Sequence, residues 1–272
     1  MTIKNLVMEV KEILGKGYTV ETKRVNKNNG VVLTGIVIRK NGESIGPTFY
    51  PDEYTTAQEI IDRYKSEEVK NGMEGFNVNN IDKDYVLANV IPVLYNRETN
   101  KELLETAVHI PCADLEIVFR VVLPLKDSKA SFLINKGQFG LTEQELYDAA
   151  MANIQGKAEA NDITAILTGL GEPIDLDDES IKPPMIVITN KAGYYGAGSI
   201  LDKEIVAKIQ KKLGDYYILP SSVHEVIVVP TDGIGVDSLV DMVREINRTE
   251  VSKNDFLSDN VYKIIDGELE VA

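Results

Sequence analysis

Cysteine and histidine are scarce in this sequence. There is one cysteine, Cys112, and only two histidines, His109 and His224, in 272 residues. A lone thiol excludes an intramolecular disulfide, so the chain must be held by its apolar core, and a chain this long buries most of the surface that its unfolded state exposes. Long apolar runs are also missing. None approaches the ~20 residues that a membrane helix needs. Residues 1–17 scatter charge through their apolar positions, so no ordinary signal peptide is expected and the expected compartment is the cytoplasm. No block of lysine and arginine stands out against a formal net charge of −14. Direct nucleic-acid binding, which favours a basic face, is therefore not expected. The densest basic cluster, Lys208, Lys211 and Lys212, falls at the end of an expected helix, where cations complement the macrodipole. The acidity reads first as solubility and second as nucleic-acid mimicry, against which the even spread of the acids argues, or docking of a basic partner.

What the sequence does contain is periodic. Ile3, Leu6, Val7, Val10, Ile13 and Leu14 recur at helical spacing, and Gly15 and Gly17 end the helix. Strand-like runs follow at 18–24, 31–39 and 44–50. The turns between them hold Asn29-Gly30 and Asn41-Gly42, strong hairpin signals that predict an antiparallel meander. A helix is expected over 55–68. The Gly- and Asn-rich stretch 69–84 predicts a boundary between a unit at 1–75 and a main unit at 85–272. In the main unit, strands are expected at 90–95, 116–123, 131–135, 185–189, 216–219 and 226–229. Helices are expected at 101–107, 142–153, 202–213 and 236–247. Thr142 and Glu145 have capping-box spacing. Residues 155–182 read as irregular and acidic, and 261–271 as a last strand with a turn at Asp266-Gly267. The predicted class is α+β: a mixed sheet with helices in the C-terminal two thirds, and a small meander with helices at the N-terminus.

Two neighbouring segments carry the candidate site. Gly193-Tyr194-Tyr195-Gly196-Ala197-Gly198 lies between a strand and a helix, where a phosphate cradle would lie. Its spacing matches neither G-x-G-x-x-G nor a P-loop, so close backbone packing is the plainer reading. The sharper one is ligand contact through Asn190, Gly193, Gly196 and Gly198. The corner Ser221-Ser222-Val223-His224-Glu225 interrupts apolar strands with polar, titratable residues. Alternation in an extended segment puts Ser222 and His224 on one face. A serine beside a histidine is a nucleophile when an acid, here Glu225 or Asp114, orients the ring. No G-x-S-x-G elbow surrounds it, and Val228 breaks a zincin motif that would begin at His224. A hydrogen-bonded structural corner, or a ligand-binding one using Ser221 and His224, needs less. No metal is expected; a zinc site would require His109, Cys112 and His224 to converge with a carboxylate. The acidic residues Asp175, Asp177, Asp178 and Glu179 lack the glycine and glutamate of an EF-hand loop.

At Asp114-Leu-Glu-Ile-Val-Phe-Arg-Val-Val122, Ile186-Val-Ile-Thr-Asn190, Gly196-Ala197 and above all Ile218-Leu-Pro-Ser-Ser-Val-His-Glu-Val-Ile-Val-Val-Pro230, the chain resembles a bacterial domain-of-unknown-function family, catalogue number 5688. Stretches 146–153 and 242–251 share the likeness, which covers most of 85–262. The resemblance implies an intracellular bacterial protein and brings no activity or cofactor with it. The function expected is therefore a non-enzymatic cytoplasmic binding or regulatory protein, with no cofactor and with a protein or small molecule as partner. A Ser222/His224 hydrolase and an acidic partner-binding or anti-defence protein are the alternatives.

Overall fold

The structure is a computed structural model that describes residues 2–43, 46–66, 80–123, 130–169, 173–181 and 183–272. At the N-terminus, helix α1 (Ile3–Leu14) starts at Thr2, whose hydroxyl accepts the Asn5 N–H at 3.3 Å, and stops at Gly15, whose φ of 76° suits glycine. The helix buries Leu6 and Val10. Strands β1 (Tyr18–Asn26), β2 (Val32–Lys40) and β3 (Thr48–Phe49) form the expected meander in the order β1-β2-β3. Helix α2 (Ala57–Lys65) opens with a capping box between Thr56 and Glu59. Leu6, Val10, Val20, Ile36, Ile38, Phe49, Ala57, Ile60 and Ile61 close one apolar cluster among these elements. The expected boundary at 69–84 lies largely outside the described residues.

A second sheet has β6 (Leu115–Val122) at its centre. Strand β4 (Val90–Asn96) pairs along one edge of it, and β5 (His109–Cys112) and β7 (Ser131–Leu133) share the other. Helix α3 (Lys83–Asn89) leads directly into β4, and α4 (Lys101–Thr106) connects β4 to β5. Strand β5 was not legible in the sequence, because its four residues include Pro111 and the partly exposed His109. Pairing with β6 makes it a strand. Helix α5 (Glu143–Ile154) packs across this sheet and has the expected capping box of Thr142 and Glu145.

The third sheet has the order β13-β12-β10-β11-β9-β8. Its members are β8 (Ala158–Asp162), β9 (Ile186–Asn190), β10 (Tyr216–Ser222), β11 (Glu225–Pro230), β12 (Tyr262–Ile265) and β13 (Glu268–Val271), accompanied by α6 (Ile163–Leu167), α7 (Lys203–Leu213) and α8 (Val236–Thr249). The expectation of a mixed sheet is corrected here, since every pairing among the described residues is antiparallel. The reason is geometric. Strands β9 and β10, joined through α7, do run parallel, but β11 folds back from β10 and inserts between them. Two further corrections follow. The stretch expected to be irregular, 155–182, contains β8 and α6; the polar Ala-Glu-Ala-Asn-Asp of β8 has weak strand propensity and is held at the sheet edge by β9. The tail is a two-stranded hairpin, not one strand. The second and third sheets share one apolar core that includes Phe119, Ile134, Leu146, Ile186 and Val228, and a smaller cluster under α8 holds Leu219, Val229, Leu239 and Val243. No helix among the described residues is long and apolar enough to cross a membrane.

Candidate functional site

The glycine loop and the 221–225 corner meet in space, and backbone contact joins them. After β9, the Asn190 side chain templates the loop: its Oδ1 accepts the Ala192 N–H at 3.0 Å and its Nδ2 donates to the Tyr194 carbonyl at 3.0 Å. Tyr195 then takes a left-handed φ of 54°, a conformation that non-glycine residues reach at a cost. A tight 3₁₀ segment, Gly196–Leu201, follows and is almost wholly buried. A Cβ built at Gly196 would sit 2.2 Å from Thr189 Oγ1 and 2.6 Å from the His224 carbonyl oxygen. At Gly198 it would sit 2.3 Å from the Pro92 carbonyl oxygen on β4. These two glycines thus let the segment wedge between the second and third sheets. Gly193, with φ 57° and open space around it, serves the turn alone.

His224 joins the two segments. Its Nδ1 receives the Tyr195 backbone N–H at 3.1 Å. A backbone N–H only donates, so Nδ1 is the accepting nitrogen and Nε2 carries the proton that faces Asp255 Oδ1 at 3.2 Å. The ring stacks on Tyr194 with centroids 5.3 Å apart. The corner's other polar groups are likewise engaged. Ser222 Oγ accepts the His224 N–H at 3.0 Å, Ser221 Oγ donates to Glu225 at 3.2 Å, and Thr189 Oγ1 donates to the His224 carbonyl at 2.9 Å. Asp255 is itself held by Ser252 Oγ at 2.8 Å and Asn254 Nδ2 at 3.0 Å.

Two residues central to this site were missed by sequence reasoning. Asp255 had no local signal, because it reaches His224 across 31 residues. Arg120 did have one, as a lone cation inside the apolar run of β6. Its guanidinium is half-buried. Nε donates to Ser131 Oγ at 2.9 Å, Nη2 to the Ser131 carbonyl at 3.1 Å and Nη1 to Tyr95 Oη at 3.2 Å. The cation also lies 4.8 Å from the centroid of the Tyr195 ring. Tyr95 continues the chain to Tyr195 Oη at 3.5 Å. Burial holds the Tyr95 and Tyr194 phenols protonated far above their ordinary range.

The remaining candidates are placed elsewhere. Asp114 accepts from Tyr262 Oη at 2.8 Å and Asn260 Nδ2 at 2.9 Å, and makes no bond to His224. His109 Nδ1 meets the buried Glu116 at 2.9 Å, whose other oxygen takes Arg97 Nε at 2.5 Å. Burial pushes the Cys112 thiol up to about 12. His109, Cys112 and His224 are not brought together: among the described residues no three His, Cys, Asp or Glu side chains converge in a metal-holding group. A cleft of about 500 Å³ opens between β3 and α2 beside Tyr50, Tyr54 and Arg63, and no residue of the loop or corner lines it.

The N-terminal meander nevertheless reaches this site. Asn28-Asn29-Gly30 forms a 3₁₀ turn, not the two-residue hairpin turn expected, with Asn29 at φ 57° and buried. Asn29 Nδ2 donates to the carbonyls of Lys253 at 2.8 Å and Phe256 at 2.7 Å, its Oδ1 accepts from Thr99 and Asn100, and its N–H meets Asn100 Oδ1 at 2.8 Å. The turn is inserted into the loop that carries Asp255.

A family model described as "Family of unknown function (DUF5688)" matches residues 3–264. None of the curated proteins and none of the solved structures matches the chain.

Proposed function

The chain belongs to the DUF5688 family, whose description carries no activity, and from its own geometry we propose that it is a non-enzymatic, cytoplasmic bacterial binding protein. The ligand meets the surface made by the glycine loop and the 221–225 corner. One observation carries this reading: both ring nitrogens of His224 are committed, Nδ1 to the Tyr195 N–H and Nε2 to Asp255. A general base needs a lone pair within reach of the proton it takes, and here the accepting lone pair holds a backbone amide. The imidazole therefore works as a bracket that fixes two loops and presents the half-exposed Tyr194 and His224 rings. The hydrolase alternative gains no support, because Ser222 Oγ hydrogen-bonds to the His224 amide and not to its ring. The proposal treats 1–75 and 85–272 as two units, which the separate apolar clusters support.

Native mass spectrometry of the untagged full chain tests the reading. The expected result is a bound mass that disappears in a His224→Ala variant of unchanged fold. A wild-type mass equal to the bare chain, or an adduct indifferent to His224→Ala, would count against it.

A further inference from the structure

Resting on that reading, we propose that Arg120 anchors an oxyanion, a carboxylate or phosphate group of a small-molecule ligand, at the tyrosine-lined junction of the second sheet and the glycine loop. The charge balance around this guanidinium is the first argument. The chain has 43 Asp and Glu residues, yet among the described residues none forms an ion pair with Arg120. Its electrostatic neighbours are the phenols of Tyr95, Tyr195 and Tyr194. Withdrawing a cation from water without a counter-charge is costly, which is why half-buried guanidinium groups ordinarily face carboxylates. Two other partly buried arginines in this chain follow that pattern: Arg97 has Glu116 and Arg39 has Glu21.

The donor count is the second argument. A guanidinium offers five N–H groups in a rigid fork, and Arg120 uses three, on Ser131 Oγ, the Ser131 carbonyl and Tyr95 Oη. One N–H on each terminal nitrogen is left, and hydrogen bonds from a cationic donor to an anionic acceptor are the strong ones. The three acceptors already present also fix the group. Ser131 grips two nitrogens and the Tyr195 ring covers a face at 4.8 Å, so little rotamer freedom is left to lose on binding. Tyr195 is in turn positioned by His224, which is why the loop–corner bracket and the anion anchor belong to one site.

The test compares thermal unfolding of the full chain in sodium chloride, sodium phosphate and sodium acetate at one pH and ionic strength, for wild type, Arg120→Met and Arg120→Lys. In wild type, phosphate or acetate should raise the melting temperature by about 3–5 °C for each tenfold excess over Kd. Whichever anion acts identifies the oxyanion class. Arg120→Met should lose this response, each anion shift being read against the same variant's melting temperature in chloride. Arg120→Lys keeps the charge without the fork and should show a weakened response, so the test survives if the Met variant fails to fold. Equal responses in wild type and Arg120→Met would place the anion elsewhere. No response in wild type, together with a large loss of stability in Arg120→Met, would make Arg120 purely structural. Either result overturns the anion anchor but leaves the binding reading to the native-mass experiment.

Discussion

Gly196 shows how little room the site leaves. A methyl group there would press on Thr189 Oγ1, the His224 carbonyl and the Asn190 nitrogen, two of them backbone atoms that cannot turn aside. Gly196→Ala should therefore cost about 1–3 kcal/mol by urea unfolding, the usual range for overpacking, and should part the loop from the corner. Gly193→Ala, set in open space but at φ 57°, should cost only the left-handed strain of about 1 kcal/mol. Indistinguishable midpoints for Gly196→Ala and wild type would contradict the wedge. At this scale the sequence was partly readable. The corner's serines and His224 stood out because polar groups interrupted apolar strands, and close packing was the plainer reading of the glycines. Asp255 and Arg120 were not read as partners of His224 and Tyr195, because nothing local tells a side chain which distant group it will face.

Helix α5 shows the same division one level up. Its start was legible because the capping box is a local device: Thr142 Oγ1 accepts the Glu145 N–H at 3.2 Å, and the Glu145 carboxylate accepts the Thr142 N–H at 2.9 Å. Thr142→Ala should lower stability by about 1 kcal/mol in a urea titration. The Glu145 carboxyl is lowered to about 2 by its bonds from Lys83 and from Thr142. A carboxyl lowered in the folded state stabilises above its unfolded value, near 4.5, and that contribution fades as pH falls toward about 2. Wild type should lose stability across this window more steeply than Glu145→Gln; parallel acid titrations would show that the box does not matter. Strands β5 and β8 were missed for the opposite reason. Their residues have little strand preference of their own, and partners elsewhere in the chain decide their conformation.

At the scale of the whole molecule, Asn29 joins the N-terminal meander to residues 99–100 and 253–256. Asn29→Ala would strip donors from the Lys253 and Phe256 carbonyls and the acceptor from Thr99 and Asn100, at a contact where Asn29 and Asn100 are buried and the other partners lie nearer solvent. Unsatisfied buried groups cost about 1–3 kcal/mol each. The variant should lose about 1–3 kcal/mol of coupling, seen in hydrogen exchange as faster opening of amides around Leu6, Val10 and Ile36 than around Phe119 and Ile186. Uniform loss of protection in both cores would refute a local joint. The effect should also reach Asp255, whose loop the turn holds.

This same joint has a consequence for how the protein is born. A ribosome delivers Asn29 long before its socket, since Lys253 and Phe256 lie 224 and 227 residues further on. At synthesis rates of about 5–20 residues per second, that interval is roughly 10–45 s. For that time the nascent meander has its own apolar cluster but no seat, and its asparagine turn remains hydrated. The turn can therefore be seated only after the 253–256 loop has been made, late in synthesis relative to its own strands.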